Sequence, residues 1–143
     1  MNFENVIDNV SKGYIQKSEI HGNGLFANED IKKGEILGYL DGQLIDWNQY
    51  HEIMGSMPKR SEEMIKYVFC EWNALSPTEL LVRPLRTKYS FINHSRTPNI
   101  KLAYEPLRLV ACQYIEKDQE FLLDYRKEPL NEEYLAGHGK TYL

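Results

Sequence analysis

The sequence predicts a mostly β fold with a few short helices, and three observations carry that expectation. Short apolar runs recur between clusters of Gly, Pro, Asn and Asp, the pattern of strands broken by turns. Helix-start signals occur in only three places. Two segments, ANEDIKKGEIL (27–37) and CQYIEKDQEFL (112–122), run alike through Ile, a charged residue, Lys, a turn residue and on into a strand. With no third copy they read as two similar strand entries and not as a repeat architecture.

In chain order, strands are expected at Gly13–Gln16, Gly24–Ala27, Ile36–Leu40, Gln43–Ile45, Leu80–Val82, Ile100–Tyr104, Leu107–Tyr114 and Glu120–Tyr125. Glu105-Pro106 falls between two of these, so they form a hairpin whose turn uses the fixed φ of proline. Asp46 followed by Gln49 makes a capping box for a helix ending near Gly55. Ser61 caps a second helix running to about Phe69. A third opens at Asn131, places Glu132 and Glu133 in its first turn where the helix dipole favours them, and stops at Gly137.

At 143 residues the chain is expected to fold as one domain around its own core. No apolar run is long enough to span a membrane, and MNFENVIDNV lacks the basic start and apolar stretch of a signal peptide, so the expected location is intracellular and cytoplasmic. Its two cysteines, Cys70 and Cys112, form no CxxC pair, which argues against a thiolate zinc site. A net charge of −4 argues against direct nucleic-acid binding, which calls for a basic stripe. Acidic residues gather late, from Glu116 and Asp118 to Glu132 and Glu133; they form either a solvated face or a groove that draws in a basic peptide. The sequence sets no oligomeric state.

Three polar constellations remain. HGNGLFA (21–27) places glycines on either side of Asn23, leaving backbone groups bare enough to approach a ligand, although a plain β-turn explains the same residues. FINHSRTPN (91–99) sets Asn93, His94 and Ser95 where a core should continue, and polar groups there need partners. A turn satisfies them as well as a ligand does. His21, His51 and His138 show no ligand spacing with His94, and Ser95 lacks a nucleophile elbow. EFLLDYRKEPL (120–130) ends an apolar run on Tyr125, by itself an ordinary core residue with a surface-reaching hydroxyl.

In this order, the three motifs resemble those of the SET domain, the protein-lysine methyltransferase family that uses S-adenosyl-L-methionine. IKKGEILGYLDGQLI (31–45) is similar to the family's strand, turn and strand ahead of its second motif, and the resemblance spans about residues 12–128. It implies a β-clip-like SET fold in which the last motif strand passes beneath the NHS loop in a C-terminal pseudoknot, an exception to unthreaded connections. It implies a single SET domain over 1–143, with 129–143 closing the cofactor site. Gly22, Asn23, Gly24, Asn93, His94 and Tyr125 correspond to cofactor contacts, Ser95, Pro98 and Asn99 to residues that fix the loop, and Tyr125 to the catalytic tyrosine. Tyr134, on the expected last helix, would lie on the adenine. The implied product is S-adenosyl-L-homocysteine, and the implied substrate a lysine in a basic protein, histone-like or ribosomal.

The departures carry implications too. Arg96 stands where many relatives carry a zinc-binding cysteine, and no tail cysteine exists, so no zinc is expected. Leu40 and Leu102 replace tyrosines found in relatives, which opens the alternative of a catalytically inactive SET-like module that binds cofactor or peptide. A domain without flanking zinc modules resembles bacterial or viral members, for which a host nucleus is a second location.

Overall fold

The computed structural model describes residues 5–56 and 71–129. The chain divides into two compact units, Met1–Leu40 with Thr87–Tyr125 and Asp41–Arg86 with Arg126–Leu143. The described residues form ten strands and one α-helix, in keeping with the mostly β expectation. The helices expected at 61–69 and 131–137, together with Cys70 and Tyr134, lie outside the described residues.

In the first unit, β1 (Gly13–Lys17) and β2 (Asn23–Ala27) pair antiparallel, from Gly13 opposite Ala27 to Lys17 opposite Asn23. The turn between them closes where Ser18 N–H donates to Gly22 O at 2.8 Å. Five further strands make one sheet in the order β3-β9-β8-β10-β7: β3 (Ile36–Tyr39), β7 (Asn93–His94), β8 (Ile100–Ala103), β9 (Arg108–Ala111) and β10 (Leu122–Leu123). A 3-10 turn at Lys88–Phe91 leads into β7. The hairpin expected around Glu105-Pro106 joins β8 to β9, which pair antiparallel.

β10 runs parallel to both β7 and β8 and lies between them. Residues 95–99 join β7 to β8 and therefore cross over β10, the knot-like passage the resemblance implied. Ser95 N–H donates to Leu123 O (3.0 Å) and Asn99 N–H to Leu122 O (3.1 Å). The buried Asn99 side chain donates through Nδ2 to Glu120 O and accepts Leu122 N–H at Oδ1, each at 2.8 Å, so an amide side chain continues the ladder beyond β8.

The two echoing segments pair with each other. Ile31 and Ile115 exchange backbone hydrogen bonds of 2.8 and 2.9 Å, and both side chains are buried. Each segment then makes the same turn: Glu35 N–H donates to Lys32 O and Gln119 N–H to Glu116 O, both at 3.1 Å. The Glu35 and Gln119 side chains accept from Lys32 N–H and Glu116 N–H in turn.

The second unit holds a three-stranded sheet in the order β4-β6-β5, from β4 (Gln43–Asp46), β5 (Glu71–Ala74) and β6 (Glu79–Arg83). Helix α1 (Trp47–Ser56) follows β4 directly. The capping box forms as expected: Gln49 N–H donates to Asp46 Oδ1 (2.6 Å) and Asp46 N–H to Gln49 Oε1 (2.9 Å). Trp47, Ala74, Leu80 and Val82 make the apolar core, with Ile45, Tyr50 and Trp72 against it. A second cluster in this unit is polar. Arg83 Nε donates to Glu71 Oε2 (2.8 Å) across β5 and β6, its Nη1 to Asp41 O (2.9 Å) and its Nη2 to Asn73 Oδ1, while Asn73 Nδ2 donates to Glu128 Oε1 (2.9 Å). Burial raises the Glu128 carboxyl to about 7 against the opposing pull of Asn73, the Ala74 backbone and Arg83.

The structure corrects the strand list in four places. Leu107–Tyr114 narrows to β9, because from Cys112 the backbone turns to the loop, donating to Asn99 O (2.9 Å), and then to Ile31. Glu120–Tyr125 narrows to β10, because at Glu120 pairing passes to the Asn99 side chain and to an isolated bridge with Phe26, and a 3-10 turn, Tyr125–Lys127, begins straight after Asp124. The two-residue β7 and the whole of β5 were not expected; β5 buries Glu71 and Asn73, inverting the apolar alternation by which a strand is read.

Candidate active site

The three sequence motifs meet within the first unit, the last of them through residues 120–125. The turn before β2 places Gly22 at φ +48°, where a Cβ is strained, and among the described residues a Cβ there would meet nothing within 4 Å, so they leave the outer side of the turn open. Gly24 is different. It is buried, and a Cβ on it would come within 2.4 Å of Glu120 Oε2.

Asn93 answers for the first polar residue of the NHS run. Its Nδ2 faces His21 O (3.1 Å), Asn23 O (3.4 Å) and Glu120 Oε2 (2.8 Å). Those acceptors use both of its N–H groups and leave Oδ1, on the other side of the planar amide, as the atom able to meet a ligand. The next residue is held from the chain's far end. His94 Nδ1 accepts Tyr125 N–H at 3.0 Å, which places the ring proton on Nε2. Asp124 Oδ1 stands 3.9 Å from the same Nδ1, a lone pair facing a carboxylate and not a charge-assisted bond.

Tyr125 also donates its hydroxyl proton to Ile92 O, and its ring lies tilted against His94 with centroids 5.3 Å apart. It therefore straddles Asn93, bonded to the residue before it through the side chain and to the residue after it through the backbone. A phenol whose proton is committed to a carbonyl offers its oxygen as an acceptor.

The structure thus joins Gly22, Asn23, Gly24, Asn93, His94 and Tyr125 by direct bonds or chain neighbourhood, and Ser95 and Asn99 by their bonds to β10. Leu40 lies in the core of this unit, its N–H donating to Leu107 O (3.0 Å), and Leu102 is half-buried on β8 opposite Leu109. Among the described residues, no three His, Cys, Asp or Glu side chains gather as metal ligands. Sequence reasoning missed Ser18 and Glu120. The signal for Glu120 was its place at the head of EFLLDY; Ser18 offered none.

Comparison with known proteins gives three findings. Residues 22–126 match the SET domain family. Histone-lysine N-methyltransferase MEDEA of Arabidopsis thaliana is 29% identical over 144 residues, covering 95% of this chain and 20% of that protein. Among solved structures, a humanized mutant of the Chaetomium thermophilum Polycomb Repressive Complex 2, bound to the inhibitor GSK126, superposes with a TM-score of 0.56 and 25% identity, over 81% of this chain and 15% of that one. The chain thus spans a fifth or less of the length of either.

Proposed function

Because this chain belongs to the SET domain family, we propose that it moves a methyl group from S-adenosyl-L-methionine to the ε-amine of a lysine in a basic protein, releasing S-adenosyl-L-homocysteine. The observation that carries this reading is the placement of Tyr125, pinned to Ile92 O and His94 Nδ1 on either side of an asparagine that is itself tied to the glycine turn.

Gly22, Asn23, Gly24, Asn93 and His94 would hold the donor. They suit it: the described residues leave the turn open at Gly22, and Asn93 has only an acceptor left to offer, which matches a cationic ligand. When bound, the donor supplies an electrophilic methyl on a positive sulfonium. What the protein must add is aim. A free lysine, with a pKa of ~10.4, is neutral about once in a few thousand at pH 7, and desolvation beside a positive charge lowers that pKa. The Tyr125 oxygen then accepts an N–H of the neutral amine and fixes the direction of its lone pair. Proton loss to water before the lysine enters leaves Tyr125 no need to ionise. The chain's net charge of −4 favours a basic partner, and the histone-lysine methyltransferase relative supports a protein of histone type.

The test is incubation with labelled S-adenosyl-L-methionine and histone-like or ribosomal proteins. Label should enter lysine, and Tyr125→Phe should lower turnover by about 10²-fold, as for loss of one oriented transition-state contact. Undiminished transfer by that variant would defeat the role given to Tyr125. Leu40 and Leu102 motivate a second reading, a SET-like binding module without turnover. It would show as donor binding, about 2.7 kcal/mol of stabilisation at 100 times Kd, with no product on any substrate.

A further inference from the structure

The reach of Glu120 points to a residue that neither the motif reading nor the proposed mechanism uses. Its carboxylate accepts from Ser18 Oγ at both oxygens (2.7 and 3.0 Å) and from Asn93 Nδ2 at Oε2 (2.8 Å), and that same oxygen occupies the space a side chain at Gly24 would need. Ser18 is buried and held in its own turn, its Oγ accepting Ile20 N–H at 3.0 Å. The carboxylate is thereby anchored at one end and pressed against the backbone of the glycine turn at the other.

An asparagine amide can rotate to present either end, and its two ends differ by a donor pair against an acceptor pair. A carboxylate can only accept. With Glu120 beside it, Asn93 must turn its Nδ2 inward to the carboxylate and the two turn carbonyls, and Oδ1 outward. We infer that Glu120 is a positioning residue: anchored by Ser18, it adds a charged acceptor to the two turn carbonyls and so locks the polarity of the Asn93 amide, and the site presents an acceptor to the cationic end of the methyl donor. This rests on the function proposed above. It assigns Glu120 an effect on donor affinity and little on the transfer step, which belongs to Tyr125.

Glu120→Ala removes the shortest of the three acceptors and the only charged one, leaving the Asn93 amide held by the two turn carbonyls alone, at 3.1 and 3.4 Å. Glu120→Gln keeps an acceptor for Asn93 through Oε1 while its Nε2 donates to Ser18 Oγ, so the amide polarity survives. The expected result is a KM for S-adenosyl-L-methionine raised tenfold or more in Glu120→Ala, with kcat at saturating donor within threefold, and both constants within threefold of the parent in Glu120→Gln. Unchanged affinity in Glu120→Ala would overturn the inference, as would equal losses in both variants tracking a fall in melting temperature. Should Glu120→Ala fail to fold, Ser18→Ala serves instead. It frees the carboxylate's anchor and should raise KM about threefold, and no change would count against the inference. A parent chain that binds no donor would sink the proposed function, and a separate readout decides the positioning role in that case. By NMR of the ligand-free protein, the Asn93 side-chain amide should exchange at least tenfold faster in Glu120→Ala than in the parent or Glu120→Gln, and equal exchange in all three would refute it.

Discussion

Replacing Glu128 by glutamine should make the protein more stable at neutral pH and leave it unchanged in acid. Glu128 is half-buried, bonded to Asn73 Nδ2, and carries a carboxyl raised from 4.5 to about 7 mainly by burial. The folded chain therefore holds this proton more tightly than the unfolded chain does. Between pH 4.5 and 7 the native state binds more protons, so stability falls as pH rises through that window and levels off above it. A rise from 4.5 to about 7 corresponds to roughly 3 kcal/mol, and partial access to water brings the expected figure to about 2–3 kcal/mol. Glutamine keeps an oxygen to accept from Asn73 and has no charge to desolvate. Urea unfolding followed by far-UV circular dichroism, at half-unit steps from pH 4.5 to 8.5, gives the stability difference between variant and parent. Taking that difference cancels the histidines, which titrate in both. It should be near zero at pH 4.5 and reach its full value by pH 8. A flat difference across the range would mean that the Arg83 guanidinium and Asn73 offset the desolvation completely, and the reasoning would fail.

Other consequences follow from the site. Gly24→Ala drives a methyl group to 2.4 Å from Glu120 Oε2; crowding of this kind costs about 1–3 kcal/mol, and donor binding by calorimetry should weaken with it. Gly22→Ala meets no neighbour among the described residues and should lose only about 1 kcal/mol of stability, the strain of its φ of +48°. Asn99→Ala leaves the Leu122 N–H and the Glu120 carbonyl without their partner, about 1–3 kcal/mol each. Chemical denaturation should show that loss, with Asn99→Asp intermediate because it restores an acceptor for Leu122 and no donor for Glu120.

What the sequence made legible was local. The capping box of α1 depends on residues three apart, and it forms as read. The edges of β1 to β4 depend on alternation and turn residues, and they fall within a residue of expectation. The echo of ANEDIKKGEIL and CQYIEKDQEFL was visible as a pattern, but its meaning, two matched turns paired back to back at Ile31 and Ile115, lies in a contact across more than eighty residues. β5 was hidden for a different reason. Glu71 and Asn73 point inward because Arg83 and Glu128 receive them there, and no rule of apolar alternation detects a strand whose buried face is polar. Ser18 was hidden likewise, since its importance comes from Glu120, 102 residues away.

The overlong strand expected at Glu120–Tyr125 shows how such a miss bears on chemistry. An apolar run ending in Asp-Tyr reads as ladder to its last residue, and a ladder would commit the Tyr125 N–H to a neighbouring carbonyl. Asn99 and β2 together supply the pairing groups at the start of the segment, the Asn99 side chain at Glu120 O and Leu122 N–H, and Leu25 O at Phe121 N–H, so that β7 and β8 pair with Leu122 and Leu123 alone and the chain turns at Tyr125. The released N–H goes to His94 Nδ1, and the ring folds back until the hydroxyl reaches Ile92 O. A buried asparagine in the loop above β10 thus helps set where the strand stops and the turn that carries the tyrosine begins. Since β7, which carries Asn93, leads straight into the loop that ends at Asn99, a change at Asn99 should disturb the tyrosine hydroxyl and the Asn93 amide together, and by similar factors.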